Sequence, residues 1–230
     1  MYPEICKIGP FVIYSYGLTL VIAFGLSSWL LLKQAKKTGF NPDEIFNLVF
    51  LVFISGIIGA RIFYVITNIG DYLRSPLEIF MLSHGGLSWF GGLFLGATCG
   101  ILYLKKKKLG IYKVLDLIVP FIALGHAIGR IGCFLNGCCF GSASGFPPQI
   151  LSSLILLLFF VVLRLLQDRP HLAGEIFYSY LFLYSIKRFF IEFLRVDNPE
   201  VFLGLTLFQV ISVLIFIFSL ANLIRIKRAK

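Results

Sequence analysis

The sequence predicts an all-α protein, a polytopic bundle of about seven helices that cross a lipid bilayer. Of its 230 residues, 58% are hydrophobic and only 14% are charged, and the mean hydropathy is +0.91. A soluble domain of this length needs more polar surface than that, so we expect lipid around it. A membrane helix needs about 20 apolar residues. Seven helices with short loops use the whole chain, and we expect residues 1–230 to form a single integral membrane domain.

Apolar runs long enough to span the bilayer recur seven times. Polar, glycine-containing or proline-containing segments separate them, as at Asn41-Pro42-Asp43 and Phe146-Pro147-Pro148. No basic run or cleavage site marks the first apolar run as a removable signal, so we expect it to be retained as a helix. The predicted spans are 11–32, 45–66, 86–104, 114–135, 149–166, 174–194 and 204–224.

The distribution of lysine and arginine predicts the orientation of the bundle. On one side of the membrane, the loops and span ends hold 14 lysines and arginines, and on the other side they hold 3. Such residues concentrate on the cytoplasmic side of a membrane. We therefore expect the amino terminus outside and the carboxyl terminus in the cytoplasm. The net charge of +10 is explained in the same way, without a nucleic-acid partner.

Four basic residues lie in the outer thirds of the predicted spans: Arg61, Arg130, Lys187 and Arg188. Inserting one cation costs about 2.5–3.5 kcal/mol, so a layer of them indicates an anionic ligand. Guanidinium groups bind phosphate oxygens in pairs, which suits a phospholipid headgroup. The alternative, that these side chains only reach the interface or pair with Glu192 and helix ends, stays open, above all for Lys187 and Arg61.

Further polar residues are predicted at the same depth. Tyr184, Arg188 and Glu192 are spaced four residues apart on one helical stripe. His126 precedes Arg130 by the same interval. The remaining members of this layer are Tyr14, Tyr16, His84 and Arg195.

Glycines mark two of the predicted helices. Gly125, Gly129 and Gly132 flank Arg130, so we expect backbone there to come close to a bound headgroup. Glycine also occupies every fourth position over 92–100, which indicates close packing of two helices instead.

Three cysteines, Cys133, Cys138 and Cys139, follow Arg130 closely. A zinc site needs a fourth ligand at suitable spacing, and the sequence offers none. We expect these residues to serve packing, and we expect neither a metal nor another cofactor.

The segment 129–141, Gly-Arg-Ile-Gly-Cys-Phe-Leu-Asn-Gly-Cys-Cys-Phe-Gly, resembles the signature of the prolipoprotein diacylglyceryl transferases. Segments 14–17, 59–62, 85–88 and 184–195 support the resemblance. It implies a bacterial cytoplasmic (inner) membrane enzyme with its active site toward the outer leaflet. Its partners would be phosphatidylglycerol and the signal peptide of a prolipoprotein. The enzyme would transfer the diacylglyceryl group to the lipobox cysteine thiol, and glycerol 1-phosphate would leave.

The resemblance also implies roles for individual residues. Arg130 matches the arginine that binds phosphatidylglycerol, and Arg188 with Tyr184 matches an essential pair, which makes these three the catalytic candidates. The candidates for substrate binding, besides Arg130, are Tyr16, Arg61, His84, His126, Asn136, Gly141 and Glu192.

This chemistry is physically coherent. Displacement at the glycerol carbon produces a phosphate monoester, and two guanidinium groups would stabilise its growing negative charge. A strongly positive pocket would also lower the pKa of the attacking thiol. An opening of the bundle toward lipid would admit the acyl chains and the signal-peptide helix.

Several positions depart from the family pattern. Phe90 stands where many members have a histidine, Cys138 where an acidic residue is usual, and Phe208 where glycine is usual. A catalytically altered or silent paralogue that binds anionic phospholipid therefore stays open. A carrier for an anionic solute is a further alternative, but the sequence has no inverted repeat, and the inner halves of its spans are almost wholly apolar.

Overall fold

The computed structural model describes residues 4–8, 11–73, 75–81, 85–138, 141, 147–195, 200–202 and 204–228, and these are mostly helical. The helices are α1 (Ser15–Lys37), α2 (Pro42–Thr67), α3 (Ile69–Tyr72), α4 (Trp89–Lys106), α5 (Ile111–Asn136), α6 (Pro148–Gln167), α7 (Glu175–Glu192) and α8 (Leu207–Arg228). Every predicted span falls on one of them. Five helices in the described ranges, α1, α2, α5, α6 and α8, are long and apolar enough to cross a membrane.

The surfaces of the long helices are apolar, as expected for an integral membrane protein. Phe94 of α4 is 75% exposed, Leu158 of α6 is 59% exposed and Leu214 of α8 is 62% exposed. Side chains of this size on the outside of a helix are suited to contact with lipid rather than water.

Two short hairpins lie at segments that the sequence assigned to helix or loop. Strand β1 (Glu4–Ile8) pairs with β2 (Phe11–Tyr14), and β3 (Glu200–Phe202) pairs with β4 (Leu205–Thr206). Helix α1 therefore begins four residues later than the predicted span 11–32. Hydropathy does not reveal β2, because its apolar residues continue into the apolar run of α1.

Helix α2 begins at the segment predicted to be a loop. Asn41 is its N-cap, and the Asn41 Oδ1 atom accepts a hydrogen bond of 2.9 Å from the backbone N–H of Asp43. Pro42 occupies the first helical position, where its missing N–H costs nothing.

The described chain divides into two compact units. The first comprises Met1–Leu31 with Tyr112–Lys230, and the second comprises Leu32–Ile111. In the first unit, α5, α6 and α7 share one apolar core formed by Val119, Ala123, Ala127, Leu156, Phe159, Leu163, Ile176 and Tyr180.

In the second unit, α2 and α4 pack through glycine, as the four-residue spacing predicted. A Cβ atom on Gly92 would lie 3.1 Å from the carbonyl oxygen of Gly56 and 3.4 Å from Cβ of Ala60. One on Gly96 would lie 3.3 Å from the carbonyl oxygen of Val52. Only small residues allow the two backbones to approach this closely.

The start of α7 is held by a buried carboxylate of α5. Asp116 is 2% exposed and accepts hydrogen bonds from the backbone N–H groups of Gly174, at 2.5 Å, and Phe177, at 2.8 Å. Gln167 Nε2 donates to the carbonyl oxygens of Asp116 and Leu117. Asp116 is thus an acidic exception within the apolar helix α5, and the reason is structural. The carboxylate satisfies N–H groups that a helix start leaves unpaired.

Candidate functional site

The polar stripe of α7 contains a buried ion pair at the predicted spacing. Arg188 Nη2 lies 3.0 Å from Glu192 Oε2, and these residues are 8% and 2% exposed. Glu192 Oε1 also accepts a hydrogen bond of 2.9 Å from Thr206 Oγ1. A charge-assisted contact in such a buried place fixes the direction of the guanidinium group.

The aromatic ring of Phe208 covers the other side of Arg188. Its centroid lies 4.4 Å from Arg188 Cζ, a cation–π geometry. The sequence identified Phe208 only as a departure from the family pattern. Its contact with Arg188 could not be found there, since the two residues lie on different helices.

A capping box places Phe208. The backbone N–H of Thr206 donates to Gln209 Oε1 at 2.9 Å, and the backbone N–H of Gln209 donates to Thr206 Oγ1 at 3.4 Å. This reciprocal pair starts α8. Because the Thr206 hydroxyl also donates to Glu192, the start of α8 is tied to the ion pair of α7. The Thr-x-x-Gln spacing is a sequence signal for this cap, but the cap was not predicted.

Tyr184 lies between a histidine of α5 and a lysine of α7. The ring centroids of His126 and Tyr184 are 5.6 Å apart, and Lys187 Nζ is 5.2 Å from the Tyr184 centroid. Lys187 is only 4% exposed, so its side chain is buried in the protein. Its ammonium group has no hydrogen-bond partner in the part of the chain that the structure describes.

Arg130 belongs to the same cluster of charges. Its Nε atom is buried and lacks a hydrogen-bond partner among the described residues. His126, one turn before Arg130 on α5, has its ring centroid 5.6 Å from that of Tyr184, one turn before Arg188 on α7. Helices α5 and α7 thus bring three cationic side chains together, with Glu192 paired to one of them. Such a cluster is suited to bind an anion, because buried positive charge is costly without one.

The glycines around Arg130 serve packing more than the sequence suggested. A Cβ atom on Gly125 would lie 3.1 Å from Ser27 Oγ, and one on Gly132 would lie 3.5 Å from Tyr16 Cδ2. Helix α1 therefore occupies the space at both glycines, and the expectation of backbone open to a headgroup is wrong there. Only Gly129 faces open space. The same packing places Tyr16 beside α5.

Two other candidates lie at the end of α5 and just beyond it. Gly141 forms a backbone bridge with Arg195, and a Cβ atom on it would lie 2.7 Å from the Leu194 carbonyl oxygen and 2.9 Å from Pro148 Cδ. Glycine is thus required there by close backbone packing. Asn136 is exposed and is the last residue of α5.

Arg61 lies in the second unit and is 6% exposed. Its nitrogen atoms donate to backbone carbonyl oxygens of one segment that precedes α4, and its guanidinium lies 5.3 Å from the Tyr72 ring. The five accepting residues are Glu78, Ile79, Met81, Gly85 and Gly86. These bonds engage all five N–H donors of a guanidinium group. His84, in the same segment, lies outside the described residues.

The cysteines after Arg130 do not form a described metal site. Cys138 Sγ lies 3.6 Å from the Cys133 carbonyl oxygen, and Cys139 is outside the described ranges. Within those ranges no group of three His, Cys, Asp or Glu residues could hold a metal ion. The absence of a cofactor stays a prediction.

Known proteins of one family are similar to this chain over most of its length. The family model for prolipoprotein diacylglyceryl transferase matches residues 3–225. Three relatives carry the name phosphatidylglycerol--prolipoprotein diacylglyceryl transferase. The one from Clostridium tetani is 33% identical over 216 residues, which cover 86% of each chain. The Enterococcus faecalis relative is 30% identical over 92% of this chain and 86% of its own. The Streptococcus pyogenes relative is 33% identical over 99% of this chain and 96% of its own.

Proposed function

The chain belongs to the prolipoprotein diacylglyceryl transferase family, and from this premise we propose how its residues perform the reaction. It is a membrane enzyme that transfers the diacylglyceryl group of phosphatidylglycerol to a prolipoprotein. The acceptor is the thiol of the lipobox cysteine in the signal peptide. The leaving group is glycerol 1-phosphate.

The cluster of Arg130, Lys187 and Arg188 is the observation that supports this proposal. The phosphate diester binds between Arg130, whose Nε atom lacks a hydrogen-bond partner among the described residues, and Arg188, which Glu192 and Phe208 hold in place. The thiolate sulfur forms a bond to the glycerol carbon, and the bond from that carbon to the phosphate oxygen breaks. The released electron pair stays on the phosphate, where the guanidinium groups stabilise it.

The thiol must lose its proton before it attacks. Phe90 stands where many family members have a histidine, so the field of the cationic cluster is the feature that favours the thiolate here. The described residues place no carboxylate beside Lys187 that would cancel this field, since the charges acting on that residue are all positive.

Some of the other candidate residues contact the substrate, and others position the residues that do. Tyr184, which packs on His126 and Lys187, contacts the headgroup, and Tyr16, His126 and Asn136 line the same site. Glu192 acts through Arg188. Gly141 acts by allowing close packing of the backbone next to Leu194 and Pro148. Arg61 acts within its own unit by holding the segment before α4, and His84 stays a candidate for substrate binding.

The membrane arrangement follows the charge pattern. Helices α4 and α7 complete seven spans of one integral membrane domain, with the amino terminus outside and the carboxyl terminus in the cytoplasm. The 14 to 3 division of basic loop residues supports this orientation. It places Arg130 and Arg188 near the outer leaflet of the bacterial cytoplasmic membrane.

The decisive experiment uses the purified protein with phosphatidylglycerol and a synthetic lipobox peptide. We expect release of glycerol phosphate and a peptide heavier by one diacylglyceryl group. A peptide with serine in place of the lipobox cysteine is the control for the acceptor. A folded wild-type protein that binds phosphatidylglycerol without releasing glycerol phosphate would instead be a silent paralogue, and the proposal would be wrong.

A further inference from the structure

Lys187 is a buried lysine of the cationic cluster to which the reaction as proposed above assigns no contact with the phosphate. It lies on α7 directly before Arg188 and is 4% exposed. Its Nζ atom lies 5.2 Å from the centroid of the Tyr184 ring and donates no hydrogen bond in the described chain. A buried ammonium without partners is destabilising, so its presence points to a ligand that is bound during the reaction.

The charges around Lys187 do not compensate it. Those that act on it within the described part of the protein come from Arg130, Arg188 and Arg195, and all are positive. The carboxylate of Glu192 is engaged by Arg188 and Thr206. Within the described part of the chain, Lys187 therefore has no anionic partner of its own.

The opposite side of Lys187 offers no polar partner either. There, α6 and α7 form a cavity of about 330 Å³, and Lys187 is its sole polar lining residue in the described chain. The apolar residues around it include Leu151, Ile155 and Phe190. Such a cavity cannot solvate an ammonium group, and Nζ instead lies 5.2 Å from the centroid of the Tyr184 ring.

We propose that Lys187 binds the phosphate group as a third cation and that its charge matters most after the carbon–oxygen bond breaks. This inference rests on the proposed function. The phosphate diester of the lipid carries one negative charge, whereas the phosphate monoester product carries about 1.5 to 2 at neutral pH. Two arginines match the diester, and Lys187 meets the added charge. A group that interacts more strongly with the transition state and product than with the substrate raises kcat rather than lowering KM.

Substitution separates this role from a structural one. Lys187→Met removes the charge and keeps an unbranched side chain, whereas Lys187→Arg keeps the charge. Lys227→Met, which removes an exposed charge from the last turn of α8, is the matched control. The assays are kcat and KM for phosphatidylglycerol, inhibition by added glycerol 1-phosphate, and thermal unfolding in detergent.

We expect Lys187→Met to lower kcat about tenfold to a hundredfold, the effect of losing a hydrogen bond to a charged group, with a smaller change in KM. Inhibition by glycerol 1-phosphate should weaken by a similar factor. Lys187→Arg should recover most of the rate, and Lys227→Met should behave like the wild type. In the absence of lipid, Lys187→Met should unfold at a higher temperature than the wild type, because it removes a buried polar group that has no hydrogen-bond partner in the described chain.

A folded Lys187→Met variant with wild-type kcat and wild-type product inhibition would overturn the inference while leaving the transferase function intact. If Lys187→Met fails to fold, Lys187→Gln gives the same comparison with a polar, uncharged side chain. Wild-type protein and Lys227→Met that both release no glycerol phosphate would instead contradict the transferase function itself.

Discussion

The contact between Phe208 and Arg188 leads to a quantitative prediction about catalysis. The ring centroid lies 4.4 Å from the guanidinium carbon, and Arg188 is 8% exposed, so water screens the contact little. A desolvated cation–π interaction contributes about 2 kcal/mol. Phe208→Leu keeps apolar bulk but removes the π face. If the ring holds Arg188 in its productive direction, the rate of diacylglyceryl transfer should fall by up to about thirtyfold.

The assay for Phe208→Leu is release of glycerol phosphate at saturating phosphatidylglycerol. Phe216→Leu is the matched control, because Phe216 lies on the same helix and stacks on Phe182, with 5.0 Å between ring centroids, rather than on an arginine. Phe208→Trp should retain activity, since indole offers a stronger π face. Thermal unfolding of each variant shows that any loss of rate is not a loss of fold. A folded Phe208→Leu variant with the kcat of the Phe216→Leu control would refute the reasoning.

Three further predictions concern other parts of the molecule. Arg130→Ala should abolish transfer without preventing insertion, and Arg130→Lys should restore little, because an ammonium cannot make the forked contact with phosphate; normal turnover of either variant would contradict the role of Arg130. Asp116→Ala should lower the free energy of unfolding by about 1–3 kcal/mol, since two backbone N–H groups at the start of α7 lose their acceptor. Thermal unfolding against Asp168→Ala, which removes an exposed carboxylate, measures this effect, and equal melting temperatures would exclude the capping role. Phe90→His should raise the rate if proton removal from the thiol limits turnover, and an unchanged rate under single-turnover conditions would show that it does not.

The sequence predicted the helices well because the spans are long and apolar. Each predicted span coincides with a helix to within about five residues at either end. The hairpin of β1 and β2 was missed because a two-stranded ribbon has no hydropathy signal of its own. The capping role of Asp116 was not predicted for a related reason. A carboxylate near the end of a span is recognised as a cap only when the N–H groups that donate to it are known.

The candidate site was predictable where its residues lie on one helix. The ion pair of Arg188 with Glu192 follows from a spacing of four residues. Contacts between helices do not follow from spacing. Phe208 meets Arg188 from α8, and α1 occupies the space beside Gly125 and Gly132 that the sequence interpretation left for a lipid headgroup.

The sequence by itself determined that this is a membrane protein, where its helices lie, and that it has arginines whose insertion into the membrane is unfavourable. Each of these depends on composition and on neighbours within one helix. The tertiary structure alone decided how those charges are used. The guanidinium group of Arg61 donates all its hydrogen bonds to backbone carbonyl groups. Arg188 is held by Glu192 and Phe208, and Lys187 is buried without a hydrogen-bond partner in the described chain. The cause is packing between helices, since which donors are satisfied depends on groups that lie far apart in sequence and meet only when the helices assemble.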